Sequence, residues 1–217
     1  MAVTNLEAVI WDFGGVLTTS PFEAFSRYEA ERGLPKDFIR GINAVDPDTN
    51  AWAQFERSEI DADGFDLAFR TEAKARGHDV PGKDVLALLS GDLRPRVIGA
   101  LKACKQTAKI GCITNNVKSG KGAGMAVDDA KAAAVADVME IFHHVIESSK
   151  IGLRKPDPRI YALMCEAIDV DPKRCVYIDD LGINLKPARQ MGMTTIKALN
   201  EDQILADLAE ATGLSFG

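Results

Sequence analysis

The sequence is poor in aromatic residues, at 6%, holds three histidines and four cysteines, and has no apolar run near the ~20 residues that span a bilayer. Each shortage removes a class of function. The cysteines, Cys104, Cys112, Cys165 and Cys175, show no CxxC spacing, which argues against a structural zinc site or a disulfide framework. Cys112 and Cys175 lie in apolar runs and read as small core residues of a reducing compartment. Histidine catalysis has little to build on, because His143 and His144 are adjacent and His78 sits in a polar turn. Positive charge is short as well. A net charge of -6 without a basic block offers no nucleic-acid surface. The opening residues "MAVTNLEAV" lack the basic and apolar regions of an export signal, so the expected location is cytoplasmic, away from membranes.

What is present suits a globular chain of 217 residues with room for one sizeable core and a small accessory lobe. Short apolar, β-branched segments at 8–11, 109–113, 144–146, 175–178 and 194–196 read as strands. Helical patterns at 94–104, 127–142, 157–168, 185–191 and 201–211 separate the later ones. Continuous apolar strands divided by helices predict an α/β fold: a doubly wound parallel sheet covered on both faces. Residues 18–93 differ, being helical in pattern with no convincing strand, and are too long for a loop. The expected organisation is therefore an α/β core from 1–17 and 94–217 with a small all-helical cap at 18–93. Trp52, Phe55 and Phe69 in that cap either line a pocket or hold its core, and their helical spacing favours the core. The "SGKGAG" run at 119–124 follows a strand but fits neither GxxxxGK[ST] nor GxGxxG, and reads as a loop.

In an open parallel sheet, ligands bind beyond the carboxyl ends of the strands. Asp12 follows the first strand, Thr114 to Asn116 the second, and Asp179 with Asp180 the fourth. Lys155 stands just ahead of a helix that Asp157 would cap and Pro158 would open. Taken singly, each is an ordinary turn or helix-entry sequence. Together, three carboxylates from remote parts of the chain would meet at one edge, where they require a cation, a raised pKa or both. An all-oxygen set suits magnesium. The Lys155 ammonium and Thr114 hydroxyl would then meet an incoming phosphate.

With these motifs the sequence resembles the haloacid dehalogenase-like hydrolase superfamily. "DFGGVL" matches the family's first motif, "CITNN" the second, "RKPDPRIY" the third and "VYIDDLGINLKPARQMGM" the fourth, in order and over nearly the whole chain. The last two look particularly like the phosphatase-type N-terminal domain of soluble epoxide hydrolases. The resemblance implies a Rossmann-like core and a magnesium-dependent phosphatase of a small phosphorylated metabolite. In it, Asp12 is the nucleophile that forms an aspartyl-phosphate, and Thr114 and Lys155 bind the transferring phosphoryl group. Asn115 is an extra phosphate donor. Asp12, the Gly14 carbonyl and Asp180 hold Mg2+, with Asp179 and Asn184 behind them. Gly14 departs from the pattern: family phosphatases usually carry there a second Asp that protonates the leaving oxygen, and such help is worth ~10²–10⁴-fold. Two alternatives stand beside this reading. One is a metal-independent carbon–halogen hydrolase, which needs no leaving-group acid; the other is a weakened relative kept as a binding or regulatory module.

Overall fold

The computed structural model describes residues 3–116 and 129–216. The glycine-rich run 119–124 and the first two residues of the helix expected at 127–142 lie outside them. Strand β1 (Ala8–Trp11) is followed by helices α1 (Pro21–Glu31), α2 (Phe38–Asn43), α3 (Ala51–Glu56), α4 (Ala62–Ala75), α5 (Gly82–Ala87) and α6 (Pro95–Lys105). Then come β2 (Lys109–Thr114), α7 (Asp129–Met139), β3 (His144–Glu147), α8 (Ser148–Ile151) and α9 (Pro158–Ala167). A short 3-10 turn leads to β4 (Cys175–Asp179), α10 (Gly182–Gln190), β5 (Thr194–Lys197) and α11 (Glu201–Thr212).

The strands form one all-parallel sheet in the order β3-β2-β1-β4-β5. β1 is central because all four of its residues are apolar and buried, so either face can be covered. Val9 and Trp11 point into a layer with Val97 and Leu101 of α6, Val138 of α7 and Leu208 of α11. Ala8 and Ile10 point the other way, onto Ile160 and Met164 of α9 and Leu185 of α10. Each large apolar side chain buried in this way contributes about 1.5–3 kcal/mol, which fixes the sheet and with it the position of every strand end.

Helices α1 to α5 gather around their own cluster, in which Phe65 stacks on Phe55 at 4.8 Å and meets Trp52 edge-on at 5.4 Å. Phe55 and Phe69 are thus core residues of this segment. Side-chain caps start α3 and α4: Asn50 accepts from the Ala53 amide and Asp61 from the Gly64 amide. The chain leaves and re-enters the sheet layer side by side, through a bridge between Thr18 and Leu93 and a 2.9 Å bond from the Arg94 amide to the Leu17 carbonyl.

Several boundaries differ from expectation, those at the sheet's carboxyl edge among them. Thr114 and Asp179 are the last residues of their strands, paired with Glu147 and Lys197, not the first residues beyond them. Helix α10 starts at Gly182, three residues before 185, although no side chain caps it. The Asp179 carboxylate organises that entry by accepting the Leu181 amide at 2.8 Å. Among the described residues, no helix is long and apolar enough to cross a membrane.

Candidate active site

Strands β2 and β4 flank β1, and the order of the sheet reverses between β1 and β4. Asp12 continues the β1 ladder by one residue, its amide bonding to the Ile178 carbonyl at 2.8 Å, so its side chain stands level with the end of β4. Its Oδ1 accepts the Phe13 amide at 2.7 Å, which holds the carboxylate over the strand end. Lys155 reaches the same place from the loop before α9, where Asp157 caps the helix and Pro158 opens it. The lysine Nζ lies 2.7 Å from Asp12 Oδ1 and 2.8 Å from Asp179 Oδ2.

Asp179 is fully buried and crowded with donors. Its Oδ2 also accepts the Tyr177 hydroxyl at 2.5 Å, and Asn184 Nδ2 spans both oxygens at 3.0 and 3.1 Å. Asp180 has no ion-pair partner among the described residues. It lies against Gly15, where a Cβ would come within 2.2 Å of Asp180 Oδ2. Gly15 has φ +74°, so both its backbone and the neighbouring acid require a residue without a side chain. Beside it, a Cβ placed on Gly14 would meet nothing within 4 Å.

Residues 6–192 match the profile of the haloacid dehalogenase-like hydrolase family. This chain belongs to that family. It is 29% identical to mouse bifunctional epoxide hydrolase 2 across 97% of its own length, yet spans 40% of that longer protein. It is also 28% identical to phosphatase MT3486 of Mycobacterium tuberculosis, covering 87% of this chain and 85% of the relative. A family enzyme from Bacteroides thetaiotaomicron, solved with magnesium and inorganic phosphate, superposes with a TM-score of 0.59 at 20% identity over 90% of this chain and 96% of that one. That structure establishes a shared fold.

The electrostatics of this haloacid dehalogenase-like site follow from burial. Burial raises the Asp12 carboxyl well above the usual carboxylate range; Lys155 opposes the rise, and Asp179 and Asp180 add to it. Burial alone would lower the Lys155 ammonium, but the Asp12 and Asp179 charges outweigh it and keep the lysine charged. The Asp180 carboxyl is raised from 3.8 to about 7, by burial first and Asp179 second, with Lys155 and Arg94 pulling the other way. Oxygens of Asp12, Asp179 and Asp180 lie within 4.8 Å of one another. Three carboxylates thus face one ammonium, a deficit that a single divalent cation would fill. Asp179 is saturated with hydrogen bonds, so Asp12 and Asp180 are the carboxylates better able to hold one.

Thr114 ends β2, buried, on the strand beside β1, two residues past the Cys112 that pairs with Trp11. The Asn115 side chain bonds the backbone of the lysine segment. Its Oδ1 accepts the Lys155 amide at 2.9 Å, its Nδ2 donates to the Lys155 carbonyl at 3.0 Å, and the same Nδ2 reaches Glu56 Oε2 at 3.4 Å. The amide therefore clamps the segment that carries the lysine. Asn116, behind it, binds Ser148, Ser149 and Glu147 and locks β2 to α8. Tyr177 and Glu56 were missed in the sequence: Tyr177 sits in an apolar strand, and Glu56 on a helix that looks solvated.

Proposed function

We propose that this chain is a magnesium-dependent phosphatase of a small phosphorylated metabolite, with residues 18–93 as a cap over a core formed by 1–17 and 94–217. The observation that carries this reading is Asp180, a carboxylate without an ion-pair partner among the described residues, beside a nucleophile that already has its lysine. Carbon–halogen hydrolysis has no use for it, whereas a divalent cation does. Asp12, the Gly14 carbonyl and Asp180 would hold magnesium, which supplies positive charge against an incoming phosphoryl group.

In this scheme the Asp12 carboxylate attacks phosphorus and forms an aspartyl-phosphate, which water then hydrolyses. Lys155 has two of its donors on Asp12 and Asp179, and its third is available to a phosphoryl oxygen. Thr114 contributes a hydroxyl to the same group. Asp179, held by Tyr177 and Asn184, anchors the ammonium. No acid stands at Gly14, so the leaving oxygen departs without that proton. Substrates with good leaving groups, sugar 1-phosphates or acyl phosphates, are the class this site suits. Four buried free cysteines support a reducing compartment such as the cytoplasm.

The test is a screen of phosphorylated metabolites with and without magnesium, with Asp12→Asn as the blank. Magnesium-dependent phosphate release that Asp12→Asn abolishes supports the reading. Turnover of haloacids that survives chelation would replace it with carbon–halogen hydrolysis.

A further inference from the structure

Glu56 is an acid in an unexpected place. It closes α3 in the helical segment, yet its side chain is only 6% exposed, because it reaches out of that segment to Arg154 and Asn115. Its Oε2 accepts Arg154 Nε at 2.5 Å and faces Asn115 Nδ2 at 3.4 Å. Arg154 immediately precedes Lys155 and returns a second bond to the helical segment, from Nη1 to the Pro47 carbonyl at 2.9 Å. Asn115 in turn bonds both the amide and the carbonyl of Lys155. Of the groups that meet this carboxylate, Asn115 thus bonds the residue whose ammonium meets Asp12, and Arg154 is joined to it in the chain.

We propose that Glu56 is a positioning residue: carried by the cap, it fixes the Lys155 segment through Arg154 and Asn115, so that docking of the cap sets the lysine. It touches neither Asp12 nor Asp180 and takes no part in bond making. Lost contact here displaces the ammonium from the nucleophile, and misplacement on the order of 1 Å costs about 100-fold in rate. The cap makes a separate bond to the core, from Ser58 Oγ to the Ser149 carbonyl at 3.0 Å, which does not involve the Lys155 segment. That bond supplies the control.

The inference rests on the phosphatase reading for its kinetic readout alone; amide exchange at Lys155 reads it independently of any activity. Glu56→Gln, Arg154→Met, the double variant and Ser58→Ala are compared in the full-length chain. Expected are a fall in kcat of about 10- to 100-fold for each of the first two, with KM within about threefold and no multiplication in the double variant. Exchange of the Lys155 amide should accelerate in Glu56→Gln, while Ser58→Ala keeps wild-type kcat and exchange. A wild-type Lys155 exchange rate in Glu56→Gln overturns the inference, as does a change confined to KM, or an equal loss in Ser58→Ala. If no substrate is found, the phosphatase reading fails while the exchange result still decides the role of Glu56.

Discussion

Lys155 Nζ lies 2.7 Å from Asp12 Oδ1, and both side chains are almost completely buried. A buried pair of this kind adds little net stability over an apolar pair of the same shape, but removing one partner strands the other and costs about 3–5 kcal/mol. The arrangement is thus better explained by chemistry than by folding. It predicts that Lys155→Met, which leaves Asp12 and Asp179 without a counter-charge, lowers the melting temperature by roughly 10 °C. Differential scanning calorimetry checks this, and a shift within about 2 °C would mean that the carboxylates are neutral or find another cation.

Gly14 marks the open space in the site, and nothing within 4 Å opposes a Cβ there. Gly14→Asp should therefore fold normally and supply a leaving-group acid. Turnover of phosphates with poor leaving groups should rise at least about tenfold, toward the ~10²–10⁴ typical of general acid catalysis, with less change for activated ones. Rates unchanged for both classes would show that another group already protonates the leaving oxygen.

Gly15 predicts the opposite behaviour. A side chain there would collide with Asp180 Oδ2 and occupy a backbone conformation at φ +74°. Gly15→Ala should weaken magnesium binding at least about tenfold, since the displaced Asp180 carries a charged ligand worth roughly 1.4 kcal/mol or more. Isothermal titration with magnesium decides, and wild-type affinity would remove Asp180 from the metal site.

The pH dependence follows from Asp180, whose carboxyl is raised from 3.8 to about 7 by burial and then by Asp179. A group raised in the folded state favours folding fully below 3.8 and loses that contribution as pH rises through about 7. Magnesium needs the ionised form and competes with the proton. Its increment in melting temperature should therefore be larger at pH 8 than at pH 6, as thermal melts with and without the ion at both pH values will show. Equal increments would place the metal away from Asp180.

The sheet and the strand-end residues were legible in the sequence for one reason: in a parallel sheet buried on both faces, an apolar run ends where the polar group begins. "AVIWD" and "CVYIDD" announce Asp12 and Asp179 in that way. The closeness of Gly15 to Asp180 was not legible, because the two meet only after β1 and β4 pair. Tyr177 reads as one more strand residue, and only the pleat reveals that its hydroxyl turns toward Asp179. Glu56 lies 98 residues from Arg154, on a helix whose neighbouring Arg57 and Glu59 form an exposed pair of their own. No local pattern separates such an acid from its solvated neighbours.

On the proposed reading, Asp12 takes a phosphoryl group in a magnesium-dependent step. An acid-quenched single turnover on a substrate from the metabolite screen, followed by peptide mass spectrometry, tests it most directly. The expected result is the mass of one phosphoryl group on the peptide containing Asp12, present with magnesium and absent after chelation or in Asp12→Asn. Phosphate release at full rate from Asp12→Asn, or a phosphorylated residue elsewhere in the chain, would contradict it.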